Sequence, residues 1–164
     1  MQREVILYIY PMETFESVAD KMVVYKVREA WFNVAKFYNE LASEYDASIS
    51  MAFILLAIDE LDGIPVTKIA PRMGMEPNSI SRSLKNLEDR GLITRKKDEV
   101  DKRKVYIKLT KDGHEIRKLA LKAVFNLEKT IIKDLPQEKL KTFFEVINHV
   151  PSAIKEFRTK IELK

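Results

Sequence analysis

The sequence predicts a mostly α protein in which long helices lie on either side of a small basic lobe holding two strands. Three observations lead there. Only 4 Gly and 6 Pro occur among 164 residues, too few for a many-turned β architecture and well suited to long helices with few connections. Apolar residues recur at steps of three and four over long stretches near both ends, the spacing of one helix face. The positive charge is also uneven: the net charge is +4, yet Pro65 to Lys111 holds 13 basic residues against 6 acidic, so the remainder is slightly negative. A concentration of that kind is expected where one lobe faces a polyanion.

Apolar residues make up 46% of the chain and charged residues 33%, which excludes both a disordered chain and a membrane-embedded one. The absence of Cys excludes a disulfide framework, a thiol nucleophile and a cysteine-based redox switch, and fits a reducing, cytoplasmic address. The apolar run Val5 to Tyr10 is too short for a signal segment or a membrane span and is expected to pack.

From Thr14 to Tyr45 there is no Pro or Gly, and Val24, Val27, Trp31, Val34, Tyr38, Leu41 and Tyr45 form a heptad seam, predicting one helix of about eight to nine turns. A second helix is expected from Ser48 to Leu61, capped by Ser48 or Ser50, burying Met51, Ile54, Leu55, Ile58 and Leu61, with Gly63 just past its end. A short third helix follows with Thr67 as its cap, which puts Pro71 at the fourth helical position and makes the helix short or irregular. Pro77 suits a first helical position, and Ile80, Leu84 and Leu87 line the inner face until Gly91. The other face is polar: Asn78, Ser79, Ser81, Arg82, Lys85 and Asn86. Strands are expected over Leu92–Lys97 and Lys104–Leu109, joined by the charged tip Asp98 to Arg103. Thr110 caps another long helix with Ile116, Leu119, Ala120, Ala123, Val124, Leu127 and Ile131 on one face. Pro136 starts a last one, in which Leu140, Phe143, Ile147, Val150, Ile154, Phe157 and Ile161 form a second seam that Pro151 should kink or break near Ile147.

Helix, short helix, turn, polar-faced helix and basic two-stranded ribbon is the order of a winged helix-turn-helix, whose second helix reads the major groove. The stretch Ser79 to Arg95 (SISRSLKNLEDRGLITR) resembles the reading helix and first wing strand of the multiple antibiotic resistance regulator (MarR) family. Asp101-Lys102-Arg103, followed by Leu109-Thr110 and Gly113, is similar to that family's wing signature. The resemblance covers roughly residues 48 to 115 by motif and the flanking helices by pattern, with Glu76 where a short capping residue is usual and Pro71 inside the preceding helix. It implies a single domain over residues 1–164, with dimerisation helices at 13–46 and 115–164 and a winged helix-turn-helix DNA-binding lobe at 48–114.

The candidate DNA-binding residues follow. Arg82 suits a bidentate pair with guanine or a phosphate contact, and Asn78, Ser79, Ser81 and Lys85 share its face. The resemblance implies that Arg103 reaches from the wing tip toward the minor groove, where A·T-rich stretches concentrate negative potential. Asp101 in a basic wing requires a cationic partner, either Arg95 or Arg103. Lys96, Lys97, Lys102 and Lys104 read as phosphate neutralisers. Trp31, Tyr38 and Phe53 are candidates to line a pocket for a small aromatic effector, against the plainer reading that each belongs to the core or a dimer seam.

The resulting expectation is a homodimeric DNA-binding transcriptional repressor on a pseudo-palindromic operator, released by a small molecule and needing no cofactor, metal or membrane. The alternative is a constitutive, nucleoid-type DNA binder without effector. An enzyme fits poorly, because without Cys, with two His and without a Gly-rich loop, acid–base chemistry lacks obvious participants.

Overall fold

A computed structural model describes residues 15–161. The run Val5 to Tyr10 lies outside them. The described chain divides into two compact units between Arg117 and Lys118.

Among the described residues the first unit starts with α1 (Phe15–Ala19) and α2 (Val23–Ser43). The single helix predicted from Thr14 is thus broken at Asp20 to Met22, where Lys21 N–H donates to Val18 O and Met22 N–H to Ala19 O. Neither Pro nor Gly makes the break, and Met22 enters α2 with no side-chain cap. Helix α3 (Ile49–Ala57) starts where expected, and of the two candidate caps it is Ser48 whose side chain accepts from Met51 N–H. It ends four residues early. Asp59 Oδ1 accepts from the backbone N–H groups of Leu61 and Asp62, both at 2.9 Å, replacing helical bonds with a turn. Leu61, expected inside, is 85% exposed as a result.

The two-residue strand β1 (Ile64–Pro65) leads straight into α4 (Val66–Met73). Pro65 therefore takes the cap position assigned to Thr67, and Pro71 sits at the sixth helical position rather than the fourth. Gly74 closes α4 in the left-handed region at φ 59°. Helix α5 (Pro77–Asp89) has Pro at its first position, buries Ile80, Leu84 and Leu87, and is entered through an extended Glu76 that makes no side-chain cap. Strands β2 (Ile93–Lys97) and β3 (Val105–Leu109) match their expectation to within a residue and pair antiparallel, Arg95 opposite Ile107. The sheet order is β1-β3-β2.

One core joins α3, α4, α5 and the sheet. Met51, Ile54, Leu55, Ile58, Ile64, Ile69, Ile80, Leu84, Leu87, Leu92, Ile93 and Ile107 form a single buried cluster. Each branched side chain buried there contributes about 1.5–3 kcal/mol, so this cluster, rather than the surface ion pairs, sets how α5 is held against the sheet. Helix α6 (Lys111–Ile132) starts on the cluster with Thr110 as cap: Thr110 Oγ1 accepts from Gly113 N–H and donates to Gly91 O.

The second unit holds the rest of α6 and α7 (Gln137–Ile161). Helix α7 runs through Pro151 without the predicted break. Ser152 Oγ donates to the His149 carbonyl there. Leu119 and Ile131, on the apolar stripe of α6, are exposed, as are Phe143, Ile154, Phe157 and Ile161 of the last seam. Among the described residues no helix is long and apolar enough to cross a membrane.

Candidate DNA-binding surface

Burying Ile80, Leu84 and Leu87 turns the opposite side of α5 to solvent, and Asn78, Ser79, Ser81, Arg82 and Lys85 are all exposed on it. Ser81 Oγ donates to Pro77 O at 3.0 Å, which leaves that hydroxyl its acceptor lone pairs. The face therefore offers cationic and hydroxyl groups with no carboxylate over its first two turns.

The wing supplies the second part. Ile93 is buried, so strand alternation sends Arg95 to the same side of the sheet, where its Nε donates to Glu88 Oε2 of α5 at 2.9 Å. Lys97 follows on that side and is exposed. At the tip, Asp98 Oδ1 accepts from the N–H groups of Val100 (3.0 Å) and Asp101 (2.8 Å). These backbone donors hold the Asp98 carboxyl below the usual carboxylate range. Asp101 Oδ1 accepts from Arg103 Nε at 3.1 Å and Arg103 N–H at 3.2 Å. Of the two partners proposed for Asp101, Arg103 is the one found, and its guanidinium is the first cause of a lowered Asp101 pKa. Arg103 itself is 92% exposed and Lys102 is exposed beside it. Two of the presumed phosphate neutralisers have carboxylates near them: Lys96 lies 3.7 Å from Glu99 and Lys104 3.9 Å from Asp101.

Four contributors escaped sequence reading. Glu88 holds Arg95. Arg90 donates from Nη1 to Asp46 O and from Nη2 to Tyr45 O, at 2.9 and 2.8 Å, tying the end of α5 to the end of α2. Asp98 builds the wing tip in place of a glycine. Lys108 Nζ donates to Leu61 O and steadies the loop after α3. Only Asp98 had a readable signal, an Asp two and three residues before the N–H groups it accepts from, which is ordinary turn chemistry.

The three aromatic candidates meet in the first unit. Phe53 lies between Trp31, stacked at 6.2 Å with an 18° interplanar angle, and Tyr38, edge-on at 6.2 Å. Trp31 is still 54% exposed. Among the described residues no three His, Asp or Glu side chains gather as a metal site.

A helix-turn-helix with a polar outer face, extended by a basic two-stranded wing, defines a winged DNA-binding regulator. The MarR family model matches residues 48–105. The organic hydroperoxide resistance transcriptional regulator of Bacillus subtilis is 30% identical over 120 residues, spanning 70% of this chain and 82% of that protein. Two solved structures share the fold: the S. aureus MepR–DNA complex (TM-score 0.74, 20% identity, covering 82% of this chain and 98% of that one) and CouR from Rhodococcus jostii RHA1 bound to p-coumaroyl-CoA (TM-score 0.72, 19% identity, 80% and 93%). The chain belongs to the MarR family, whose members matched here are transcriptional regulators and not enzymes.

Proposed function

We propose that this chain acts as a homodimer that represses transcription from a pseudo-palindromic operator and is released by a small, partly aromatic molecule. The observation that carries the dimer is the apolar surface each unit leaves in water. Val24, Val27, Trp31 and Phe32 on α2, and separately Phe143, Ile154, Phe157 and Ile161 on α7, are all exposed, and neither helix buries a single residue. Continuous apolar stripes of this length are uncommon on a monomer. A two-fold pair of such chains places two copies of α5 on successive turns of one DNA face, which is why the operator is pseudo-palindromic.

The DNA contacts follow the exposed set: Arg82 with Asn78, Ser79, Ser81 and Lys85 in the major groove, Arg95, Lys97 and Lys102 at phosphates, and Arg103, steered by Asp101, at the minor groove. The Trp31–Phe53–Tyr38 group supports an aromatic effector, in line with the CoA thioester in the CouR structure. The hydroperoxide response named for the Bacillus subtilis relative does not carry over through a thiol, because this chain has no Cys.

Trp31 is the only tryptophan, so its fluorescence reports on that group directly. Titration with a panel of aromatic carboxylates should quench it and weaken operator binding by about 5- to 150-fold. A panel that leaves both fluorescence and affinity unchanged moves the protein to the constitutive DNA-binding reading, and a monomer in sedimentation at micromolar concentration removes the dimer.

A further inference from the structure

We infer that Glu88 is a specificity-determining positioning residue, holding Arg95 between the reading helix and the wing and suppressing its attraction to phosphate on non-cognate DNA. The proposal rests on the reading of α5 and the wing as the DNA surface.

Glu88 stands in the last turn of α5, beyond the residues offered to bases, and is the acidic group of that helix in contact with the wing. Its partner is seven residues on, across Gly91 and the start of β2. The bond uses Arg95 Nε, at 2.9 Å. Nε lies at the root of the guanidinium fork, so a carboxylate there fixes the plane of the group while its two terminal nitrogens point onward to another acceptor. The stem of Arg95 is also constrained, since its backbone pairs with fully buried Ile107. The bond thus biases the Arg95 guanidinium toward one orientation.

Two consequences follow for DNA. An operator phosphate that meets the oriented fork gains a bidentate contact with little ordering cost. A phosphate arriving from elsewhere meets a guanidinium whose charge is already offset by a carboxylate within hydrogen-bond distance. Non-specific affinity comes from unpaired cations near phosphates, so Glu88 lowers it more than it lowers specific affinity. The pair's worth to folding is small, as both side chains are more than a third exposed (37% and 40%). The pair is therefore explained by recognition rather than by stability.

The experiment compares wild type with Glu88→Gln, Arg95→Gln and the double variant on two duplexes. One has random sequence; the other is selected from a random pool by the wild-type protein. Glu88→Gln keeps an acceptor for Nε and removes only the charge. Its expected effect is tighter binding to the random duplex with a salt slope steeper by about 0.9, one further phosphate neutralised, and a smaller gain on the selected duplex. In the Arg95→Gln background the same change should have no effect. An unchanged random-duplex slope in Glu88→Gln, or an equal change when Arg95 is absent, overturns the proposal. Failure of the underlying reading looks different: Arg82→Ala and Arg103→Ala would then bind both duplexes as wild type does.

Discussion

Arg90 Nη2 donates to the carbonyl oxygen of Tyr45 at 2.8 Å, so the end of α5 is tied to the turn that follows α2, 45 residues earlier in the chain. The second nitrogen reaches Asp46 O, on the one non-glycine residue with positive φ (51°) among those described. A cation at a helix C-terminus also meets the negative end of the helix dipole. Arg90→Ala should lower stability by about 1 kcal/mol, and Lys, which cannot fork across two carbonyls, should recover less than half. Urea unfolding of the three proteins measures it, and equal midpoints for Lys and Arg would show that charge alone matters.

Gly113 sits against the backbone of Leu92, where an added Cβ would lie 1.9 Å from the Leu92 carbonyl oxygen. The neighbour is main chain and cannot rotate away. Gly113→Ala should therefore cost about 3 kcal/mol, the upper end of overpacking, by prying the start of α6 from β2. A thermal midpoint within a degree or two of wild type would contradict this close approach of α6 to Leu92.

The wing tip should be acid-sensitive. Asp98 and Asp101 both have carboxyl pKa values lowered by the hydrogen bonds that build the turn. A group depressed on folding contributes stability above its unfolded pKa, near 4, and loses it as pH falls through the folded value. The tip should stay ordered through neutral pH and loosen only below about pH 4. Side-chain carboxyl NMR titration should give both midpoints below that of a model aspartate; a midpoint at or above it for either residue means its bonds are not formed in solution.

Arg82→Ala and Arg103→Ala should separate two kinds of contact. Loss of a base contact relaxes preference at one position per half-site, costing about 1–3 kcal/mol there. Loss of Arg103 should weaken binding to all sequences and reduce the salt slope by about 0.9 per phosphate contact, with a further loss at A·T-rich flanks. Equal losses on selected and random duplexes for Arg82→Ala would assign that side chain to phosphate.

Much of the lobe was legible because its signals are local. Pro77, the Ile80–Leu84–Leu87 spacing and Gly91 delimit α5, and Thr110 caps α6 as its position before an apolar stripe implies. What could not be read depends on contacts distant in sequence or on competition between turns. Nothing in Asp20 to Met22 marks a break, because no Pro or Gly is involved. Leu61 keeps helical spacing but is carried outside when Asp59 captures the backbone N–H groups ahead of it. The Glu88–Arg95 and Arg90–Tyr45 contacts exist only once β2 has folded back and α5 has docked on the core, so no spacing rule announces them. Leu119, Phe143 and Phe157 show the opposite case: their periodicity is plain in the sequence, but a single chain leaves them exposed.

The spacing of half-sites distinguishes a two-fold dimer on one DNA face from chains that bind singly. A duplex selected by the wild-type protein should contain two half-sites about one DNA turn apart, and inserting 5 bp, about half a turn, at its centre puts the second on the opposite face of the helix. The dimer with two copies of α5 on one DNA face predicts that affinity for the expanded duplex falls to that for random sequence at the same salt. Equal affinity for the two duplexes would contradict it, showing that each chain reads DNA alone.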